Sequence, residues 1–168
     1  MKYSPPQLNI KSKNDNGEIS GYASVFGIVD GYGDVVVNGA FKNSIAEKKP
    51  KLLWQHDTNS PIGVIEEIYE DDYGLFIKGR LLLEISKAKE VYLLLKNKAI
   101  DGFSIGYRIR SNHFKNDNQY LTDIELLEIS IVTFPACGCA AVEDVKSETA
   151  FAEKIHEISK KIKDKINE

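Results

Sequence analysis

Ser104 has a sequence setting that could suit a catalytic nucleophile. It lies between Gly102 and Gly106, which leave open space on the strand face that its hydroxyl would occupy. A nucleophilic hydroxyl needs such space, because a substrate carbonyl must approach it to about 3 Å. Taken alone, the same pattern is also typical of an ordinary serine on the surface of a strand.

His56 and Glu128 could supply a base and its carboxylate partner. His56 follows a short apolar segment, a position that holds an imidazole firmly and leaves it accessible, as a general base requires. Glu128 interrupts an apolar strand pattern, where a buried carboxylate needs a hydrogen-bond donor such as a histidine ring N–H. Asp57 is the alternative partner of His56. Glu128 could instead face outward with Ser130 on the polar side of its strand.

Other site chemistries are less favoured. Cys137 and Cys139 are too close in sequence for an unstrained disulfide, and the chain has no further cysteine. We interpret them as reduced thiols and expect neither a metal site nor a cofactor. A hydrolase that pairs Glu128 with Asp57 or Asp34 is disfavoured, because no aromatic residues that could stack on a sugar cluster near them.

The elements that must position these residues are mostly strands. Strands are predicted over residues 18–26, 51–55, 62–69, 75–83, 103–109 and 120–134, and helices over residues 39–49 and 86–97. Helices do not regularly separate the strands. The order therefore favours a mainly β fold with flanking helices (α+β), built as an antiparallel β-barrel that helices surround.

The chain divides into two parts in this interpretation. Residues 1–142 form one domain, and residues 143–168 form an amphipathic helix that packs on the domain or serves assembly. The helix is predicted from an apolar stripe at helical spacing, formed by Phe151, Ile155, Ile158, Ile162 and Ile166.

Composition excludes several classes of function. The net charge of −3 provides no broad basic surface, so we expect no nucleic-acid partner. We find no secretory signal and no apolar run near the roughly 20 residues that span a bilayer, so we expect no membrane association.

Four ordered segments resemble the prohead proteases of tailed bacteriophages, a family related in fold to the herpesvirus capsid-maturation protease, assemblin. Together they cover roughly residues 15–142. They are Gly21-Tyr-Ala-Ser-Val-Phe26 with Gly33-Asp34 and Gly39-Ala-Phe41; Leu53-Trp-Gln-His-Asp57 with Pro61-Ile-Gly63; Gly102-Phe-Ser-Ile-Gly106; and Leu127-Glu-Ile-Ser-Ile-Val-Thr-Phe-Pro-Ala136.

The resemblance implies a serine endopeptidase with a barrel fold. Ser104 matches the family's serine, and His56 matches its histidine. Glu128 stands where the herpesvirus enzymes carry a second histidine and where phage members carry a carboxylate. The segment from Cys137 to Ala140 departs from the usual phage pattern. Its backbone N–H groups are our candidates for the oxyanion site.

The implied substrates are the scaffolding region of the major capsid protein and the protease itself. The implied location is the assembling prohead in the cytoplasm of the bacterial host. A homodimer is expected if the C-terminal helix docks a second copy. The alternative is a catalytically silent scaffold or assembly module of the same fold.

Overall fold

The structure is a computed structural model that describes residues 10–11, 16–138, 140 and 145–146. Its elements in chain order are β1 (Ile10–Lys11), β2 (Glu18–Val25), β3 (Asp34–Val36), α1 (Lys42–Glu47), β4 (Lys51–Trp54), β5 (Asp57–Glu70), β6 (Gly74–Leu81), α2 (Ser86–Lys96), β7 (Gly102–Lys115), β8 (Asn118–Val132) and β9 (Val145–Lys146).

A curled sheet of seven strands, β2 to β8, forms the body of the protein. The strands lie in the order β2-β6-β5-β4-β8, and β8 then pairs with β7 along one edge and with the short β3 on the other. The Cα atoms of β2 and β7 come within 8 Å of each other. No ladder joins these two strands in the described part of the chain, so the barrel remains open along this seam.

The sheet is mixed, and the prediction of an antiparallel barrel is wrong in this respect. β3 and β4 both run parallel to β8, whereas the other ladders are antiparallel. A short turn between two strands requires them to pair antiparallel, but it says nothing about strands that are distant in sequence. β4 and β8 are joined through β5, β6, α2 and β7, and such a long connection allows parallel pairing.

The core is a single apolar cluster inside the curl of the sheet. Ile129 and Ile131 of β8 and Phe103 of β7 are fully buried there. α2 adds the apolar face that the sequence predicts, with Ala88, Val91, Tyr92 and Leu95 buried. Only α1 and α2 are helical among the described residues, so the sheet is flanked by helices and not surrounded by them. Neither helix has the length or apolarity of a membrane span.

Several element boundaries differ from the predictions. β5 begins at Asp57, whereas the sequence predicts a polar turn before residue 62. β7 and β8 extend into a long exposed hairpin arm, and β3 was not predicted. The start of β5 and the hairpin arm are mostly polar, and strand pairing by itself imposes no apolar alternation where neither face is buried. β3 differs, since Val35 and Val36 are buried, but its three residues are too few to show a strand period.

The predicted C-terminal helix lies almost wholly outside the described residues. Val145–Lys146 are an exception, since they form β9 and pair in parallel with β1. The helix over the remaining residues and the boundary at residue 143 stay predictions.

Candidate active site

His56 is held on a tight turn between β4 and β5. Gln55 and His56 have φ angles of 51° and 59°, as in a two-residue hairpin turn of type I′. This left-handed conformation costs roughly 1–2 kcal/mol for each residue that is not glycine. The Gln55 N–H donates to the carbonyl of Ile131 at 3.0 Å, and its side-chain amide donates to Thr133 Oγ1 at 2.6 Å. These bonds tie the strained turn to the end of β8.

Glu128 is the carboxylate that contacts the His56 ring. His56 Nδ1 lies 2.7 Å from Glu128 Oε1, and the Glu128 side chain is 11% exposed. The His56 side chain is 45% exposed, so the imidazole is accessible to a substrate. A proton on Nδ1 that is donated to Glu128 leaves Nε2 as the acceptor, which is the tautomer that a general base needs.

Gly106 explains how Glu128 reaches the histidine. It faces Glu128 across the β7–β8 ladder. A Cβ atom at Gly106 would lie 2.8 Å from Glu128 Cδ and closer still to Oε1. Only the absence of a side chain at this position lets the carboxylate cross over β7. The sequence analysis expects Gly106 to leave open space beside Ser104. In the structure, the Glu128 side chain occupies the space above Gly106.

Ser130 is a member of the site that the sequence analysis did not identify as functional. It lies on the same face of β8 as Glu128 and is fully buried. Its hydroxyl donates to Glu128 Oε2 at 2.6 Å and accepts the backbone N–H of His56 at 3.0 Å. The sequence does indicate that Ser130 shares a strand face with Glu128, because these two residues alternate with Ile129 and Ile131.

Ser104 lies on β7, opposite Ser130 in the ladder, and is 7% exposed. It shares a cleft of about 340 Å³ with His56. The cleft runs along the seam between β2 and β7. Within the described residues the Ser104 hydroxyl makes no hydrogen bond, and catalytic hydrogen bonds often tighten only when a substrate binds.

The loop after β8 forms one wall of the cleft. Phe134, Ala136, Cys137 and Ala140 all line it, and Phe134 is 90% exposed. The Ala140 N–H donates to the carbonyl of Cys137 at 2.9 Å, so this donor is already used within the loop. The Ala140 carbonyl in turn accepts the Phe103 N–H, which fixes the loop beside the strand of Ser104.

The other acidic residues that the sequence raised have different partners. The Asp57 carboxylate accepts from Ser60 Oγ and the Asn59 N–H, and these bonds lower the pKa of Asp57. Asp34 lines the cleft and accepts from the Tyr107 hydroxyl at 2.7 Å. Burial, followed by this bond, raises the pKa of Tyr107 well above its usual value, so the hydroxyl stays a donor at neutral pH.

Comparison with known proteins places this chain in a family. The family described as caudovirus prohead serine protease matches residues 6–155. The prohead protease of Enterobacteria phage HK97 is 29% identical in an alignment of 153 residues that covers 88% of this chain and 68% of that protein. The prohead protease of Escherichia phage T5 is 31% identical in an alignment of 136 residues that covers 76% of this chain and 62% of that protein. The chain thus spans about two thirds of the length of these relatives.

The fold is similar to that of a solved structure. The capsid assembly protease of bacteriophage T4 aligns with a TM-score of 0.57 at 13% identity, over 77% of this chain and 99% of that one. A KSHV protease in complex with a hexapeptide phosphonate inhibitor aligns with a TM-score of 0.49 at 9% identity, over 74% of this chain and 62% of that one. With its family match over most of its length, the chain belongs to the caudovirus prohead serine protease family.

Proposed function

We propose that this chain is a serine endopeptidase of prohead maturation, with Ser104 as nucleophile, His56 as general base and Glu128 as the residue that orients His56. The observation that carries the proposal is the 2.7 Å contact between His56 Nδ1 and Glu128 Oε1 beside a cleft that also contains Ser104. A nucleophile, a base and a group that orients the base are the three roles that acyl transfer requires.

The chemistry follows from the orientation of the histidine. His56 Nε2 takes the proton of Ser104 as the serine oxygen attacks a peptide carbonyl, and Glu128 stabilises the resulting imidazolium. The proton then passes to the leaving amine, and an acyl-enzyme ester remains on Ser104. Water, deprotonated by the same nitrogen, hydrolyses the ester and releases the second product.

Two features of the cleft support binding of a peptide. Tyr32 and Phe134 line it and are 83% and 90% exposed, so both rings can pack on a bound chain. The loop of Ala136 and Cys137 borders the cleft beside Ser104. We propose that backbone N–H groups of this loop hold the oxyanion, with Ala140 excluded because its N–H is already donated.

The substrates that we propose are the scaffolding region of the major capsid protein and the protease itself, cleaved inside the assembling prohead in the host cytoplasm. Membership of the prohead protease family supports a capsid protein as substrate. Self-cleavage and a homodimer remain part of the proposal as expectations from the family resemblance.

The test compares Ser104→Ala with Ser111→Ala, a second serine on β7 that is exposed. The parent and Ser111→Ala should cleave capsid precursor and react with a fluorophosphonate probe, whereas Ser104→Ala should do neither. Assays of purified protein and of assembled proheads would both be run, because the enzyme could require the shell. Cleavage by folded Ser104→Ala at the parental rate would refute the proposal. Folded parent that neither cleaves nor reacts in proheads would favour the silent scaffold.

Glu128 and Asp57 form a matched pair for the orienting role. Asp57 adjoins His56 in the chain, whereas Glu128 contacts its ring. Glu128→Gln should lower kcat by about 10²- to 10⁴-fold, because the tautomer and the imidazolium lose their carboxylate. Asp57→Asn should leave kcat within about twofold of the parent. The reverse ranking would assign the role to Asp57.

A further inference from the structure

The contacts of Ser130 couple the turn that holds His56 to the carboxylate that orients it. The hydroxyl donates to Glu128 Oε2 at 2.6 Å and accepts the backbone N–H of His56 at 3.0 Å. One oxygen atom thus connects both groups that must be aligned for His56 to act as a base. We propose that Ser130 is a positioning residue of the active site, an inference that rests on the proposed function.

The first half of the role concerns the carboxylate. Glu128 has two oxygens, and a carboxylate on a flexible side chain could offer either of them to the ring. The bond from Ser130 occupies Oε2 and so leaves Oε1 facing His56 Nδ1. A hydroxyl can donate only one proton, and Ser130 gives it to this carboxyl oxygen in a fully buried setting.

The second half concerns the backbone of the histidine. His56 has a φ angle of 59°, a left-handed conformation that needs support from the surrounding structure. Its N–H has Ser130 Oγ as its partner. Loss of the hydroxyl would leave this N–H without its acceptor and Glu128 Oε2 without its donor. Both the position of the His56 imidazole and its preferred tautomer would then be less well defined.

Ser44 is a buried serine whose hydrogen bond serves only the fold, and it can be compared with Ser130 directly. Ser44 of α1 is also fully buried, and its hydroxyl accepts the N–H of Leu126 at 2.8 Å. Leu126 lies on β8, the strand that carries Ser130. Ser44 contacts neither His56 nor Glu128 in the described structure. Ser44→Ala therefore removes a buried hydroxyl and a hydrogen bond to β8, and it serves as the matched control.

The experiment measures kcat, KM and the tautomer of His56 in Ser130→Ala, Ser130→Cys, Ser130→Thr and Ser44→Ala. Nitrogen-15 spectra of labelled histidine report the tautomer at a pH where the ring is neutral. We expect Ser130→Ala to lower kcat by about 10- to 100-fold with little change in KM, and to raise the fraction protonated on Nε2. Ser130→Thr should recover most of the loss. Ser44→Ala should keep the parental kcat and tautomer.

The variants distinguish a failure to fold, a failure of the inference about Ser130 and a failure of the proposed function. Ser130→Cys keeps the shape of the side chain with a weaker donor, so a deficit in kcat is expected from it even if Ser130→Ala does not fold. Parental kcat and tautomer in folded Ser130→Ala or Ser130→Cys would overturn the inference, and so would an equal loss in Ser44→Ala. The tautomer is measured without any cleavage. An altered tautomer alongside full activity of Ser104→Ala would therefore refute the proposed function and leave the coupling through Ser130 intact.

Discussion

Replacement of Gly106 by alanine tests whether the crossing of Glu128 over β7 governs the site. The new Cβ atom would lie 2.8 Å from Glu128 Cδ and 3.0 Å from Cγ, nearer than non-bonded atoms come. The backbone of Gly106 has no positive φ angle, so alanine is excluded by the carboxylate and not by the main chain. We expect Glu128 to be displaced and its 2.7 Å contact with His56 to be lost.

The magnitude follows from that lost contact. A hydrogen bond to a charged group contributes about 1.5–3 kcal/mol. If the contact acts fully in the transition state, its loss lowers kcat by roughly 10- to 150-fold at about 1.4 kcal/mol for each factor of ten. The free energy of unfolding should fall by about 1–2 kcal/mol, since the reduced entropy of the unfolded chain returns about 0.4–1 kcal/mol. The melting temperature should fall by about 2–8 °C.

The assay is a double-mutant cycle with Glu128→Ala, read out by the rate of precursor cleavage and by thermal unfolding. In the Glu128→Ala background the obstructing atoms are absent, so Gly106→Ala should have almost no further effect on the cleavage rate. It should raise the free energy of unfolding there by about 0.4–1 kcal/mol, because only the entropic gain remains. Gly31→Ala is the control, because its Cβ would meet only the Ala136 carbonyl at 3.4 Å, an ordinary contact. An equal cost of Gly106→Ala with and without the Glu128 side chain would refute the reasoning.

Two further predictions concern the cleft rim and the pH dependence of stability. Phe134→Ala should raise KM by about 3- to 10-fold with kcat and the melting temperature near parental values, because the ring is exposed beside the cleft; an unchanged KM would remove Phe134 from peptide binding. Burial opposes ionisation of Asp71, but bonds from the Tyr22 hydroxyl and the N–H groups of Gly74 and Tyr73 outweigh it and lower the pKa of Asp71. Its contribution to the free energy of unfolding is therefore present above the unfolded pKa near 3.8 and is lost as the pH falls through the lower folded value. Urea unfolding at pH 7 and at pH 3 should show a smaller acid-induced loss for Asp71→Asn than for the parent, and equal losses would contradict the linkage.

Local patterns in the sequence predict much of the secondary structure. The apolar face of α2 follows from helical spacing, and the alternation of Phe103 and Ile105 with Ser104 assigns opposite faces of β7. These predictions depend only on neighbours within a few residues. The hairpin arm beyond Arg108 escaped prediction, because a strand exposed on both faces carries no apolar period. The buried strand β3 escaped it because its three residues are too few to show a period.

The sequence also contained the candidate site residues, but it left their geometry open. Glu128 and Asp57 were both possible partners of His56, and the choice between them depends on side-chain direction. In the structure, Asp57 accepts hydrogen bonds from Asn59 and Ser60 in the first residues of β5. Glu128 reaches the ring through the space above Gly106. Gly106 could not be assigned its contact with Glu128 before the register of β7 on β8 was known.

What the sequence by itself determined was the type and face of the amphipathic elements such as α2 and the first half of β7, together with the residues whose chemistry suits acyl transfer. What only the tertiary structure decided was their mutual placement. The contact between His56 and Glu128 joins residues 72 positions apart, and it depends on β4 pairing in parallel with β8. The strained φ angles at Gln55 and His56 persist because hydrogen bonds from the far end of β8 hold them. Such pairings arise from the packing of distant strands, a property that no local pattern of residues specifies.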